Sequence, residues 1–318
     1  MGKLRNLIPM LFSVVWISCS WFSGPKYEII VEYTDLPFEE YAFVHSPRWA
    51  EDGSSIYFVA CKLFDGAVFR YDLATESLEE ITPRRDFNGG AFALSHVSDK
   101  LAYDTWYVTP ENDTDYVIVH LCDLEGNPLD SFMLPGYFIT QMRFSEVNDS
   151  FLYITLEPYS DIMGYYFLRL NLYTGAPPDT LLTFLYGDGF DLFPDDTAFL
   201  MHDTIYSLTS DSKRKAGLAE YSDISLNPQD PHYAATDWPT HEFPPFLRFG
   251  NTIVFTNLLD GTSFEIKACP RDRNKIDYYG ANKPEFSPDG NSVAYIIDSY
   301  QESSSRQEIG LITNVFDE

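Results

Sequence analysis

The sequence is poor in positive charge. Its 318 residues hold 21 Lys and Arg against 48 Asp and Glu, a formal net charge of -27. Such a chain repels polyanions at long range, which argues against a nucleic-acid partner and against membrane binding through a basic surface. Cysteine is scarce as well: Cys19, Cys61, Cys122 and Cys269 are the only four. With Cys19 assigned to the leader below, three remain, and an odd number argues against a complete disulfide framework. Cys61, Cys122 and Cys269 all fall in apolar, strand-like runs and read as small buried core residues. No apolar run reaches the roughly 20 residues of a spanning helix, and no long stretch carries the 3.6-residue helical period.

Catalytic signatures are missing too. There is no Gly-x-Ser-x-Gly elbow and no phosphate-cradling glycine loop. The six histidines (45, 96, 120, 202, 232 and 241) stand apart, with no His-x-x-x-His or Cys-x-x-Cys pair, so no metal site is expected. No catalytic residue and no cofactor can be assigned. Asp188-Gly189-Phe190-Asp191, Pro194-Asp195-Asp196 and Asn112-Asp113-Thr114-Asp115 are rich in oxygen ligands but lack full calcium-loop spacing, and they read as solvated turns.

What the chain has is a globular share of apolar residues, 45%, with 22 Tyr and 25 Phe. Aromatics suit half-buried pleated surfaces, and an all-β architecture can take this length as one domain. Residues 1–18 have the layout of an export signal: Lys3 and Arg5, then an 11-residue, mostly apolar stretch from Leu7 to Ile17, then Ser18. Ile17-Ser18-Cys19 resembles the end of a bacterial lipobox, with Trp16 where an aliphatic residue is usual. That resemblance implies lipidation of Cys19, and two acyl chains would hold the protein stably at a membrane. The expected plan is a signal peptide at 1–18, a lipidated tether at 19–26 and a single folded domain at 27–318.

A repeated pattern fills that domain. Ser46-Pro47-Arg48-Trp49-Ala50-Glu51-Asp52-Gly53 and Lys283-Pro284-Glu285-Phe286-Ser287-Pro288-Asp289-Gly290 each read as a short strand ending in an aromatic, then an Asp-Gly turn, then an alternating strand. Weaker copies follow Leu94, Phe144, Leu192 and Phe246. The six anchors, at 49, 94, 144, 192, 246 and 286, are spaced by 45, 50, 48, 54 and 40 residues, close to the ~40–50 of a four-stranded propeller blade. The last copy runs out after its third strand, near Ile309 to Thr313, whereas a spare strand, Tyr27 to Tyr33, precedes the first anchor. The expectation is an all-β, six-bladed β-propeller whose N-terminal strand completes the last blade. Closure of this kind leaves few unprotected edges.

On the two strong copies the chain resembles the TolB-like, WD-repeat-like propellers of bacteria, over roughly residues 40–315. The resemblance implies a fold and a cell-envelope compartment. TolB carries a further N-terminal α/β domain, for which there is no room between Cys19 and the first blade, so its function is not carried across.

The residues leading into the first strand of each blade surround the mouth of the central channel. They include His45, Arg48, Gln141, Arg143, Asp188, Asp191, Lys283 and Glu285, with Tyr137 and Tyr278–Tyr279 just ahead of such strands. Charged and aromatic groups together can grip a peptide or glycan. Residues 211–245, with Lys213-Arg214-Lys215 and five prolines, read as a long loop suited to binding. The favoured function is a non-catalytic envelope lipoprotein facing the periplasm from the outer membrane and binding a protein or peptide partner through one propeller face. The alternative is a small-molecule or glycan site at the channel mouth, with or without catalysis.

Overall fold

The computed structural model describes residues 25–316 except 33–34, 38–42, 63–64, 87–89, 109–114, 136, 159–163, 185–188, 219–222, 241–247, 269–277 and 302–303. The leader, Cys19, Asp188, Phe246 and Cys269 lie outside the described residues.

Strand β1 (Lys26–Val31) comes first. Blade one follows as β2 (Phe43–Trp49), β3 (Ser55–Lys62), β4 (Asp65–Asp72) and β5 (Ser77–Glu80), with the two-residue β6 (Arg85–Asp86) added beside β4. Blade two is β7 (Phe92–Leu94), β8 (Lys100–Val108), β9 (Asp115–Asp123) and β10 (Pro128–Pro135). Blade three is β11 (Tyr137–Phe144), β12 (Phe151–Pro158), β13 (Tyr165–Asn171) and β14 (Asp179–Phe184). Blade four is β15 (Phe190–Leu192), β16 (Ala198–Met201), β17 (Thr204–Ser207) and β18 (Lys213–Lys215). Blade five is β19 (Ile224–Leu226), β20 (Tyr233–Thr240), β21 (Arg248–Asn257) and β22 (Ser263–Lys267). Blade six is β23 (Tyr278–Phe286), β24 (Val293–Gln301), β25 (Ser304–Thr313) and β1, in the order β23-β24-β25-β1.

Each sheet is an antiparallel meander, and the first strands of successive blades contact one another around the ring. The fold is the expected six-bladed propeller. Its closure is the expected one too, since β1 pairs antiparallel with β25 from Lys26↔Thr313 to Val31↔Ile309.

Hydrophobic alternation puts one face of each blade against its neighbour, so the core is divided among the seams between blades. Blades two and three share Val117, Val119, Met142, Ile154 and their neighbours. Blades three and four meet where the fully buried Phe167 touches Phe190 and Phe199, with ring centroids 4.8 and 4.4 Å apart. Burying a ring of that size is worth about 1.5–3 kcal/mol. The ends of the chain are locked together by Val31, Ile296 and Ile309 packing on Val44, Phe58 and Phe69. Across the same seam a polar relay runs from the Val44 amide to Gln307 (2.6 Å) and from Gln307 to Asp298 (2.6 Å), with Asn282 donating to the other Asp298 oxygen.

One blade departs from the sequence reading. The first strand of blade five ends at Leu226, not near Phe246, so the anchor spacing is 34 residues from Leu192 and 60 to Phe286. Its turn, Asn227-Pro228-Gln229-Asp230, has no glycine, and Asn227 closes it by accepting the Gln229 and Asp230 amides at 2.9 and 3.1 Å. Residues 211–245 are accordingly no single long loop, since they contain β18, β19 and β20. The count of six survives because one blade is short and the next is long.

Candidate functional site

The two strong sequence copies share a backbone device. Ser46 and Lys283, each followed by proline, adopt φ of 52° and 49°, and at each the pairing register slips by a β-bulge. A bulge reorients the strand beyond it. Here the residues after the bulge, Arg48 and Glu285, point to the axis of the ring, while Trp49 and Phe286 pack in the seams. The Trp49 indole donates to the Glu285 carbonyl at 3.0 Å, stitching blade one to blade six.

The position before each anchor forms a ring of six: Arg48, Ala93, Arg143, Asp191, Ser225 and Glu285, all buried. Two cations and two anions make it electrically neutral. Arg143 donates to both Glu285 oxygens, Nη1 to Oε1 at 2.6 Å and Nη2 to Oε2 at 2.8 Å. Its Nε lies 3.0 Å from Asp191 Oδ1, and Arg48 Nη1 reaches Glu285 Oε2 at 2.9 Å. Asp191 Oδ2 also accepts the Leu226 amide at 2.7 Å, and Ser225 Oγ accepts the Phe286 amide at 3.0 Å. The same position thus holds each of these blades to the next.

Burial alone would raise the Glu285 carboxyl, but Arg143 and Arg48 outweigh it and hold it below the ordinary range. Asp191 is pushed up to about 6 by burial, against the attraction of Arg143. Arg48 is lowered to about 10 by burial and by the Arg143 charge beside it. Toward the turn side, His96 Nδ1 meets Glu146 at 3.3 Å, and despite burial that hydrogen bond raises its pKa.

On the other side, where the first strands begin, a cavity of about 30 Å³ is lined by Ser46, Arg48, Thr140, Gln141, Asp223 and Lys283 among others. That is room for no more than a few water molecules. His45 stands nearby, its pKa pushed down to about 3 by burial and by Lys283. The Asp237 carboxyl is buried and raised well above the usual range, first by burial and then by Asp223. The Asp223 amide donates to its Oδ1 at 3.0 Å.

Of the residues singled out in the sequence, Arg48, Arg143, Asp191 and Glu285 meet in one network. Gln141 is committed elsewhere: its amide exchanges two hydrogen bonds of 2.8 Å with the backbone of Phe190, joining blades three and four. Lys283 lines the mouth cavity, and His45 flanks it. Tyr137 and Tyr278 begin β11 and β23, while the position of Asp188 is outside the described residues. Asp223, Asp237, His96 and Ser225 escaped the sequence reading. Ser225 was hidden by the misplaced fifth anchor, since the rule of one residue before each anchor would have found it. Among the described residues no group of three His, Cys, Asp or Glu side chains is arranged to hold a metal ion. Cys61 and Cys122 are buried free thiols, raised by burial to about 11 and about 12.

No family profile matches the sequence and no curated protein is similar to it. Solved structures are similar in fold. An oligogalacturonate lyase in complex with manganese is 16% identical over 85% of this chain and 76% of its own, with a TM-score of 0.52. TolB from Acinetobacter baumannii is 13% identical over 97% and 70%, TM-score 0.39. An oligogalacturonate lyase from Vibrio parahaemolyticus is 11% identical over 91% and 97%, TM-score 0.49. At these identities the likeness is one of fold alone.

Proposed function

We propose that the chain is an exported cell-envelope lipoprotein, anchored through Cys19 and facing the periplasm, whose propeller binds a protein or peptide partner on the face around the channel mouth. The observation that carries this reading is the filling of the axis. Arg48, Arg143, Asp191 and Glu285 occupy it, each bound to another of the four. Among the described residues the mouth shows a cavity of about 30 Å³, against the roughly 300–1,000 Å³ of small-molecule clefts. A partner that lies across the face needs no such cleft. The leader and the Ile17-Ser18-Cys19 sequence support export and lipidation, and the net charge of -27 favours a basic contact surface on the partner.

Cross-linking in intact cells, followed by purification of the protein, tests the reading. A stoichiometric protein partner whose cross-links map near His45 and Lys283 supports it. A crystal structure with an ordered sugar or metal ion in the channel overturns it in favour of the small-molecule alternative. Metabolic labelling with an alkyne fatty acid tests the anchor separately, since Cys19→Ser should abolish the label.

A further inference from the structure

A second surface lies on the outer rim, where the closing strand β1 faces the outer hairpin β4–β5 of blade one. A groove of about 680 Å³ runs there, within the range of ligand clefts. Its floor is apolar. Ile30, Tyr71, Leu73 and Leu78 line it and are half-buried, resting on the cores of the seam below. Its rim is acidic: Glu28, Glu32, Asp35 and Glu76 are exposed, and none of the described residues lining the groove is Lys or Arg. The Tyr71 hydroxyl is raised by burial and then by Glu76, Asp35 and Glu28, so the field of these carboxylates reaches the floor.

One wall is a strand edge. Residues 28–31 of β1 line the groove in unbroken succession, and among the described residues β1 pairs only with β25, whereas Glu32 beyond the strand exchanges its amide and carbonyl bonds with Asp35. Its outer edge therefore presents backbone donors and acceptors beside an apolar floor, the arrangement that accepts an added strand. We infer that this groove docks an extended segment of a partner protein in which lysine or arginine alternates with aliphatic residues. The aliphatic side chains would cover Ile30, Tyr71, Leu73 and Leu78, the cations would meet the acidic rim, and the backbone would extend blade six by one strand. The outer strands build this groove and the first strands build the channel mouth, so either surface can fail its test without the other.

A fluorescent peptide of alternating Lys and Val, titrated against the full-length protein in nonionic detergent, tests the inference. Binding should weaken about tenfold or more in the Glu28→Lys, Glu76→Lys double variant. It should change little in Glu125→Lys, Glu265→Lys, which alters net charge equally at exposed sites on other blades. Hydrogen exchange should show new protection within Glu28–Val31. Equal weakening in both double variants would reduce the effect to net-charge attraction and overturn the proposal, as would absence of binding. Self-association abolished by the Glu28, Glu76 variant would give the groove to a second copy and overturn it as well.

Discussion

The Arg143 guanidinium grips both carboxylate oxygens of Glu285 across the axis of the ring, 142 residues away in sequence. Blade three is thereby tied to blade six, which are not neighbours, and Arg48 and Asp191 extend the tie to blades one and four. Removing one partner of a buried ion pair strands the other and typically costs about 3–5 kcal/mol. Glu285→Gln leaves two buried arginines to one aspartate and should fall in that range in urea titrations. Replacing Arg48, Arg143, Asp191 and Glu285 together by apolar residues of similar volume should cost far less than the sum of the single changes. Additive losses would show that the four do not act as one network.

Closure gives a second expectation. Strand β1 supplies the fourth strand of blade six and part of the seam core through Val31. Deleting residues 20–34 should sharply lower the unfolding temperature, and a synthetic peptide covering 24–34 should restore part of it. An unchanged melting temperature would mean that the ring does not depend on this strand.

The buried ionisable groups set the pH profile of stability. Asp191, raised to about 6 from 3.8, keeps a proton in the folded state that the unfolded chain releases, so its contribution falls as pH rises between those values. Asp237 and Asp298, both raised chiefly by burial, act in the same direction. So does His96, whose raised pKa gives stability that is complete below its unfolded value and lost as pH climbs through the folded one. Glu285 and His45, the latter pushed down to about 3, oppose them: a lowered pKa gives stability present above the unfolded value and lost as pH falls toward the folded one. The melting temperature should therefore peak on the acid side of neutrality. Asp237→Asn keeps the acceptor for the Asp223 amide and removes the ionisation, so it should raise the melting temperature at alkaline pH and flatten the profile. A fall in melting temperature at alkaline pH would mean that Asp237 is ionised and stabilising there.

Much of this fold was legible because its blades repeat a local rule. Trp49 and Phe286 each precede an Asp-Gly turn, and glycine there is a direct consequence of a positive φ, 70° at Gly53 and 73° at Gly290. Blade five was misread because its turn makes no such demand: none of residues 227–231 has a positive φ, and the turn is closed instead by the Asn227 side chain between two prolines, leaving no Asp-Gly to find. The channel residues could be nominated by register, but register says nothing of partners. That Gln141 would be spent on the Phe190 backbone, or that Glu285 would gather two arginines, depends on how six blades converge. Asp223 and Asp237 approach only because β20 folds back beside the start of β19, a neighbourhood that spacing along one strand does not encode.

Gly53 and Gly290 offer a controlled comparison of turn and packing. Both sit in equivalent turns at nearly equal φ, so an alanine at either pays the same left-handed backbone penalty, about 1–2 kcal/mol. Their surroundings differ. A Cβ at Gly53 would find its nearest neighbour, the Pro288 ring, 4.0 Å away, whereas one at Gly290 would lie 2.3 Å from Asn227 Oδ1. Asn227 cannot simply withdraw, because it caps the blade-five turn and its Nδ2 donates to the Gly290 carbonyl at 3.1 Å. Gly290→Ala should therefore destabilise the protein clearly more than Gly53→Ala in urea titrations. In the Asn227→Ala background the added cost of Gly290→Ala should shrink toward that of Gly53→Ala, since only the backbone penalty is left. Equal costs at the two glycines in the wild-type background would mean that Asn227 does not hold the seam between blades five and six.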